Sequence, residues 1–130
     1  MNGIGGTAAP PVIVAEDDAN NRWMLCRMLA KMGYDTLRAT DGDQAVALAR
    51  RSGARIVFMD LNMPGTSGYD AAGRIKGEPE LRDVRVVAVT GDVTERARRH
   101  CKAAGFDGFL AKPVRKTELQ AELDLALAAG

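Results

Sequence analysis

Two hydrophobic periods alternate along the chain. VIVA, residues 12–15, is a short β-rich run. Behind it Met24, Leu25, Met28, Leu29 and Met32 recur at helical spacing through residues 19–32, and Gly33 ends the segment. TLRA (36–39) predicts a second strand and the Ala-rich stretch 42–51 a second helix. IVFM (56–59) is the most apolar run, which predicts a central strand buried on both faces. Residues 67–76 predict a helix, VRVVAVT (84–90) a long strand, and 94–104 a helix that stops at Gly105. GFLA (108–111) predicts a fifth strand, and Leu119, Leu123 and Leu127 mark a last helix. Five strands alternating with five helices imply an α/β fold, a parallel sheet covered on both faces. Right-handed crossovers leave few topologies for it.

On the first helix Trp23, Cys26, Arg27 and Ala30 fall away from the Met/Leu stripe. A large aromatic there either packs against the last helix or stands exposed near the mouth of the site, where it would make an interface anchor.

Composition narrows the class. The 130 residues suffice for one domain with one core. Residues 1–11, MNGIGGTAAPP, carry no charged side chain and read as a flexible leader or linker, which leaves 12–129 as the domain. Eighteen basic and seventeen acidic side chains give a net charge of +1, which argues against a general nucleic-acid or membrane surface. No apolar run approaches a membrane span, and the start lacks a signal-peptide pattern. Cys26 and Cys101, far apart in sequence, read as lone thiols of a cytoplasmic protein. The basic run Arg96 to Lys102, with the sole histidine His100, reads as a solvated helix face, a partner surface being the alternative.

The strand ends carry the chemistry. In such a sheet ligands bind beyond the carboxyl ends of the strands. Strand one ends in Glu16, Asp17 and Asp18, strand three in Asp60, strand four in Thr90, and strand five in Lys112 followed by Pro113. Asp18 suits a helix N-cap better than a ligand role. Carboxylates gathered with a hydroxyl and an ammonium describe a site for Mg²⁺, which prefers oxygen ligands. A carboxylate can accept a phosphoryl group, whose charged oxygens then need a cation, a donor and an ammonium in fixed positions. No His, Cys or Ser is placed as a rival nucleophile, and neither GxxxxGK[ST] nor GxGxxG is present. One alternative is an aspartyl-phosphate phosphohydrolase, but its second Asp would fall at Asn62. Another is a flavin or nucleotide module, whose first loop would be rich in Ser, Thr and Gly rather than acidic. A third is a scaffold that never takes phosphate.

VIVAEDD, MDLNMPGTSG, VVAVTGD and AAGFDGFLAKP, in this order and spacing, resemble the receiver domain of bacterial two-component response regulators. MDLNMP, the NNR after the acidic cluster and HCKAAGFDGFLAKP are similar to receivers of hybrid histidine kinases. The resemblance covers residues 12 to about 127 and implies a flavodoxin-like (βα)5 three-layer sandwich with strand order 2-1-3-4-5. It implies Asp60 as phosphoacceptor and Asp17 as a direct Mg²⁺ ligand. Glu16 would act through water and Asn62 through its backbone carbonyl. It implies Thr90 and Phe109 as switch residues, Lys112 as phosphate partner and a cis Lys112–Pro113 bond. Phe109 stands where relatives often carry Tyr, so it can rotate without offering a hydroxyl. Asn62 and Asp92 fall at positions that tune phosphate lifetime.

The partners implied are a histidine kinase or histidine phosphotransfer domain, with Trp23 on the helix that docks it. A downstream protein would meet the face made by helix four, strand five and helix five. Stand-alone regulator and hybrid-kinase receiver both remain open. With no output domain after residue 130, DNA binding by this chain is not expected.

Overall fold

The computed structural model describes residues 9–128. Residues 1–8 of the expected leader and residue 129 of the expected domain lie outside the described residues. Strands β1 (Val12–Ala15), β2 (Thr36–Ala39), β3 (Ile56–Asp60), β4 (Arg85–Thr90) and β5 (Gly108–Ala111) alternate with five helices. These are α1 (Ala19–Lys31), α2 (Gly42–Ser52), α3 (Gly68–Gly77), α4 (Glu95–Ala104) and α5 (Lys116–Ala128). A short 3₁₀ turn at Pro79–Leu81, not foreseen from the pattern, leads into β4. The sheet is parallel in the order β2-β1-β3-β4-β5, the flavodoxin-like arrangement.

Strand alternation divides the core in two. Ile13, Ala15, Val57, Met59, Val86 and Ala88 point to one face, where Ala45 and Val46 of α2, Ile75 of α3 and Cys101 of α4 cover them. Val12, Val14, Ile56, Phe58, Val87 and Val89 point to the other, under Leu25 and Leu29 of α1 and Leu119 and Leu123 of α5. Every residue of β3 is buried, as its apolar run predicts. Its Ile56, Val57, Phe58 and Met59 side chains each contribute about 1.5–3 kcal/mol when fully buried.

Helix ends follow local chemistry. Asp18 accepts from the Asn21 amide at 2.8 Å and so caps α1, the role its sequence position suggests. Asp41, Ser67 and Thr94 cap α2, α3 and α4 in the same way. Gly105 ends α4 at φ 106°, a left-handed conformation that favours glycine.

The expected face of α1 needs correction. Met24 is 55% exposed, while Cys26 is only 4% exposed and belongs to the core. The buried arc is rotated toward Cys26, because Leu25 and Leu29 are the residues that meet the sheet. On α5 Ala126 joins Leu119 and Leu123 in the core, and Leu127 is only half-buried.

One surface tie fixes the loop between β3 and α3. Thr66 donates its hydroxyl to Asp43 of α2 at 2.8 Å, and Arg74 of α3 bonds the same oxygen. The Arg74 guanidinium, with Thr66, lowers the Asp43 carboxyl below its ordinary value. A lowered folded-state value means that the stabilisation is present above the ordinary aspartate value and lost as pH falls through the lowered one. Arg74→Ala is therefore expected to lower the urea midpoint at neutral pH, with the gap to wild type closing in acid. Parallel urea titrations across that range check it.

Candidate functional site

Register assembles the site. Ala15 pairs with Met59, so the residues that follow, Glu16 and Asp60, leave adjacent strands side by side. Thr90 pairs with Ala111, which brings Lys112 next to it, and the Lys112 amide donates to the Thr90 carbonyl at 2.9 Å. All four lie at the carboxyl edge of the sheet, where open α/β sheets bind ligands.

Glu16, Asp17 and Asp60 each offer a carboxylate oxygen within 4.8 Å of the others. Glu16 and Asp60 are buried and Asp17 is exposed. Lys112 Nζ donates to Glu16 Oε1 at 2.8 Å and stands 3.7 Å from Asp60 Oδ2. Burial pushes the Glu16 carboxyl up, the Lys112 bond pulls it down, and neighbouring Asp60 pushes it up again; the net direction is up. Burial works against the Lys112 ammonium, but the Glu16 bond and the charges of Asp60 and Glu16 outweigh it, so its value rises and it stays charged.

One ammonium facing three carboxylates leaves the cluster short of positive charge. An all-oxygen donor set of this kind fits a hard divalent cation. Opposite ligands of an octahedral Mg²⁺ stand about 4 Å apart, so the observed spacing accommodates one ion with small side-chain movement.

Thr90 is buried, and its hydroxyl oxygen accepts from the Asp92 amide at 3.0 Å, which leaves the hydroxyl proton to donate elsewhere. The Asn62 amide donates to Asp60 Oδ1 at 3.3 Å. The Lys112–Pro113 peptide bond is cis. Phe109 is half-buried, with the Arg98 guanidinium 4.4 Å from its ring centre.

Trp23 is not brought to the carboxylates. It is 58% exposed on α1, with the Arg27 guanidinium 5.3 Å from its ring centre. Its neighbour Met24, with Leu25, Met28, Val89, Pro113 and Val114, lines a groove of about 310 Å³ that reaches Glu16 and Lys112. A larger crevice of about 750 Å³ lies between α3 and α4 and holds none of the strand-end residues. His100 lines it, exposed yet stacked on Tyr69 at 3.9 Å between ring centres, so it is more engaged than a purely solvated side chain.

Two residues near the site escaped sequence reasoning. Arg22 donates Nη1 to the carbonyls of Glu16 and Asp17. Gly68 donates its amide to the Leu61 carbonyl at 3.3 Å, and a Cβ there would overlap the Asp60 carbonyl oxygen. Their only trace in sequence is position within NNR and TSG. Gly68→Ala is expected to push the backbone of Asp60 aside and destabilise the fold by about 1–3 kcal/mol, the usual range for overpacking. Denaturant melts of the variant, read beside the Asp60 amide resonance, test it.

The response regulator receiver domain family model matches residues 12–124. The chain belongs to this family. It is 31% identical to protein PilH of Pseudomonas aeruginosa, over 90% of this chain and 97% of that protein. It is 36% identical to the sensory/regulatory protein RpfC of Xanthomonas campestris, over 89% of this chain but only 16% of that longer protein. The receiver domain of sensor histidine kinase PA1611 from P. aeruginosa PAO1, solved with magnesium coordinated in its active-site cleft, superposes with a TM-score of 0.86. That pair shares 31% identity, over 93% of this chain and 99% of the other. The Saccharomyces cerevisiae Ssk1 receiver domain, solved with the histidine phosphotransfer protein Ypd1, is also similar. A chain of that complex aligns with a TM-score of 0.81 at 26% identity, over 90% of this chain and 89% of that one. The chain is thus a two-component receiver domain, related both to receivers within sensor kinases and to single-domain regulators. Among the described residues no helix is long and apolar enough to cross a membrane.

Proposed function

We propose that this receiver takes a phosphoryl group from a phosphohistidine onto Asp60, in a reaction that needs Mg²⁺. The observation that carries the reading is the convergence of Asp60 with Glu16, Asp17 and Lys112 at one sheet edge. An Asp60 oxygen forms the O–P bond as the P–N bond to the donor breaks, and the electron pair of that bond leaves with the imidazole nitrogen. Mg²⁺ held by Asp17 and Asp60, with Glu16 through water and the Asn62 carbonyl, would neutralise charge on the phosphoryl oxygens. Lys112 and the Thr90 hydroxyl would each bind one of those oxygens. The domain would thereby catalyse its own phosphorylation and, with water as acceptor, its own dephosphorylation.

Once phosphate is in place, Thr90 moves toward it and Phe109 turns inward. This shifts the population of the α4–β5–α5 face toward the form a downstream protein recognises. The phosphodonor is a histidine kinase or histidine phosphotransfer domain, by analogy with the Ssk1 receiver solved with Ypd1. Buried, unpaired Cys26 and Cys101 suit a cytoplasmic setting.

We assign Trp23 to the donor contact because it is a large exposed aromatic on α1, next in sequence to Met24, which lines the groove that reaches Glu16 and Lys112. Transfer from a labelled phosphohistidine domain to this chain tests the whole reading. Label should move to wild type. With Trp23→Ala, transfer from that protein donor should slow about tenfold, an ordinary loss for an interface anchor, while labelling by acetyl phosphate stays at the wild-type rate. Equal transfer to wild type and Trp23→Ala removes Trp23 from the contact, and no transfer to wild type contradicts that donor class.

A further inference from the structure

Arg22 is an arginine beside three carboxylates that bonds none of them. Among the described residues it makes no ion pair. Its Nη1 donates instead to two consecutive backbone carbonyls, Glu16 O at 2.9 Å and Asp17 O at 3.2 Å. Those carbonyls lie in the loop between β1 and α1, beyond the last strand residue and before the helix. Neither accepts a backbone amide among the described residues. Arg22 also sits near the start of α1, where the helix dipole favours anions over cations. Its place is therefore not explained by helix electrostatics, and the two carbonyl bonds supply the compensation.

We propose that Arg22 is a positioning residue for the metal site: it fixes the Glu16–Asp17 backbone so that both carboxylates face Asp60. This rests on the Mg²⁺ reading of the cluster. The other ties on this loop act on Glu16 and Asp18: the Glu16 amide donates to the Ala39 carbonyl at 3.0 Å, and the Asp18 amide donates to Glu16 Oε2 at 3.3 Å. Buried Glu16 and Asp60 repel each other, and exposed Asp17 makes no ion pair among the described residues, so Arg22 is the side chain that holds the Asp17 backbone. By bonding carbonyl oxygens, Arg22 holds the ligands without occupying the carboxylate oxygens that a cation needs. Lys112 does the opposite: it bonds Glu16 Oε1 directly. The site thus has one cation that shapes the ligand loop and another that faces the chemistry. Asp18 secures the same loop from its far end, through its cap on Asn21.

The test combines Mg²⁺ titration by calorimetry with amide hydrogen exchange on the metal-free protein, for wild type, Arg22→Ala and Arg22→Lys. Arg22→Ala is expected to weaken Mg²⁺ binding about tenfold, the low end for loss of a partner that orients metal ligands. The amides of Glu16 and Asp18, which donate to the Ala39 carbonyl and to Glu16 Oε2, should exchange faster, while those of β3 and α5 keep wild-type rates. Arg22→Lys, which keeps a cationic donor, should recover part of the affinity. Unchanged Mg²⁺ affinity in Arg22→Ala overturns the proposal. So do unchanged loop exchange or a general loss of protection across the domain, which would make Arg22 an ordinary stabilising contact. Wild type that binds no Mg²⁺ refutes the proposed function itself, and the proposal with it, before any variant is compared.

Discussion

Asp60→Asn will accept no phosphoryl group from a phosphohistidine donor or from acetyl phosphate under conditions where wild type is labelled. The substitution keeps the size of the side chain and one oxygen, so β3 and its buried surroundings should survive. What it removes is the anionic oxygen that would form the O–P bond, and an amide is a far poorer nucleophile than a carboxylate. The alternative acceptors fail on position. Glu16 is buried against Lys112, and Asp17 lies in the exposed loop. The same change takes one carboxylate from the three that face one another, so Mg²⁺ affinity should fall as well. Because Asp60 helps push the Glu16 carboxyl up, Glu16 in the variant should titrate lower than in wild type. Labelling kinetics and a carboxyl titration by NMR read the two consequences separately, and residual labelling at the wild-type rate would refute the assignment.

Lys112→Ala should move two quantities in opposite directions. Its ammonium stands 3.7 Å from Asp60 and bonds Glu16 at 2.8 Å, so it already competes for the oxygens that a metal would use. Removing it leaves three carboxylates without their positive neighbour and should tighten Mg²⁺ binding. Transfer to Asp60 should nonetheless slow by about 10²-fold or more, the usual loss when one preorganised electrostatic donor is removed from a reacting centre. Calorimetry and labelling rates measure both. Weaker Mg²⁺ binding together with slower transfer would instead mean that Lys112 supports the local fold.

The sheet was readable because a doubly buried strand and its turns leave strong local marks. IVFM (56–59) is unbroken and apolar, and β3 is buried throughout. Strand ends were readable too, since Glu16, Asp60, Thr90 and Lys112 each directly follow or close a strand run, and parallel register then makes them neighbours. The face of α1 was harder. Met24, Leu25, Met28, Leu29 and Met32 are compatible with an arc centred on either side of Leu25, and sequence gives a small thiol less weight than a methionine. Packing against the sheet decided for Cys26. Arg22 and Gly68 were illegible for another reason. Their roles are contacts to backbone carbonyls, of Glu16, Asp17 and Asp60, and backbone geometry in loops has no periodicity to read. The stack of His100 on Tyr69 joins two helices far apart in sequence, which a helical pattern cannot show.

The most direct measurement is the intact mass of the wild-type protein after incubation with acetyl phosphate, with and without Mg²⁺, followed by peptide mapping of any adduct. One added phosphoryl group, formed only with Mg²⁺ and mapped to Asp60, is the predicted result. An adduct that forms equally well without Mg²⁺, or that maps to another residue, would contradict a metal-dependent acceptor at Asp60.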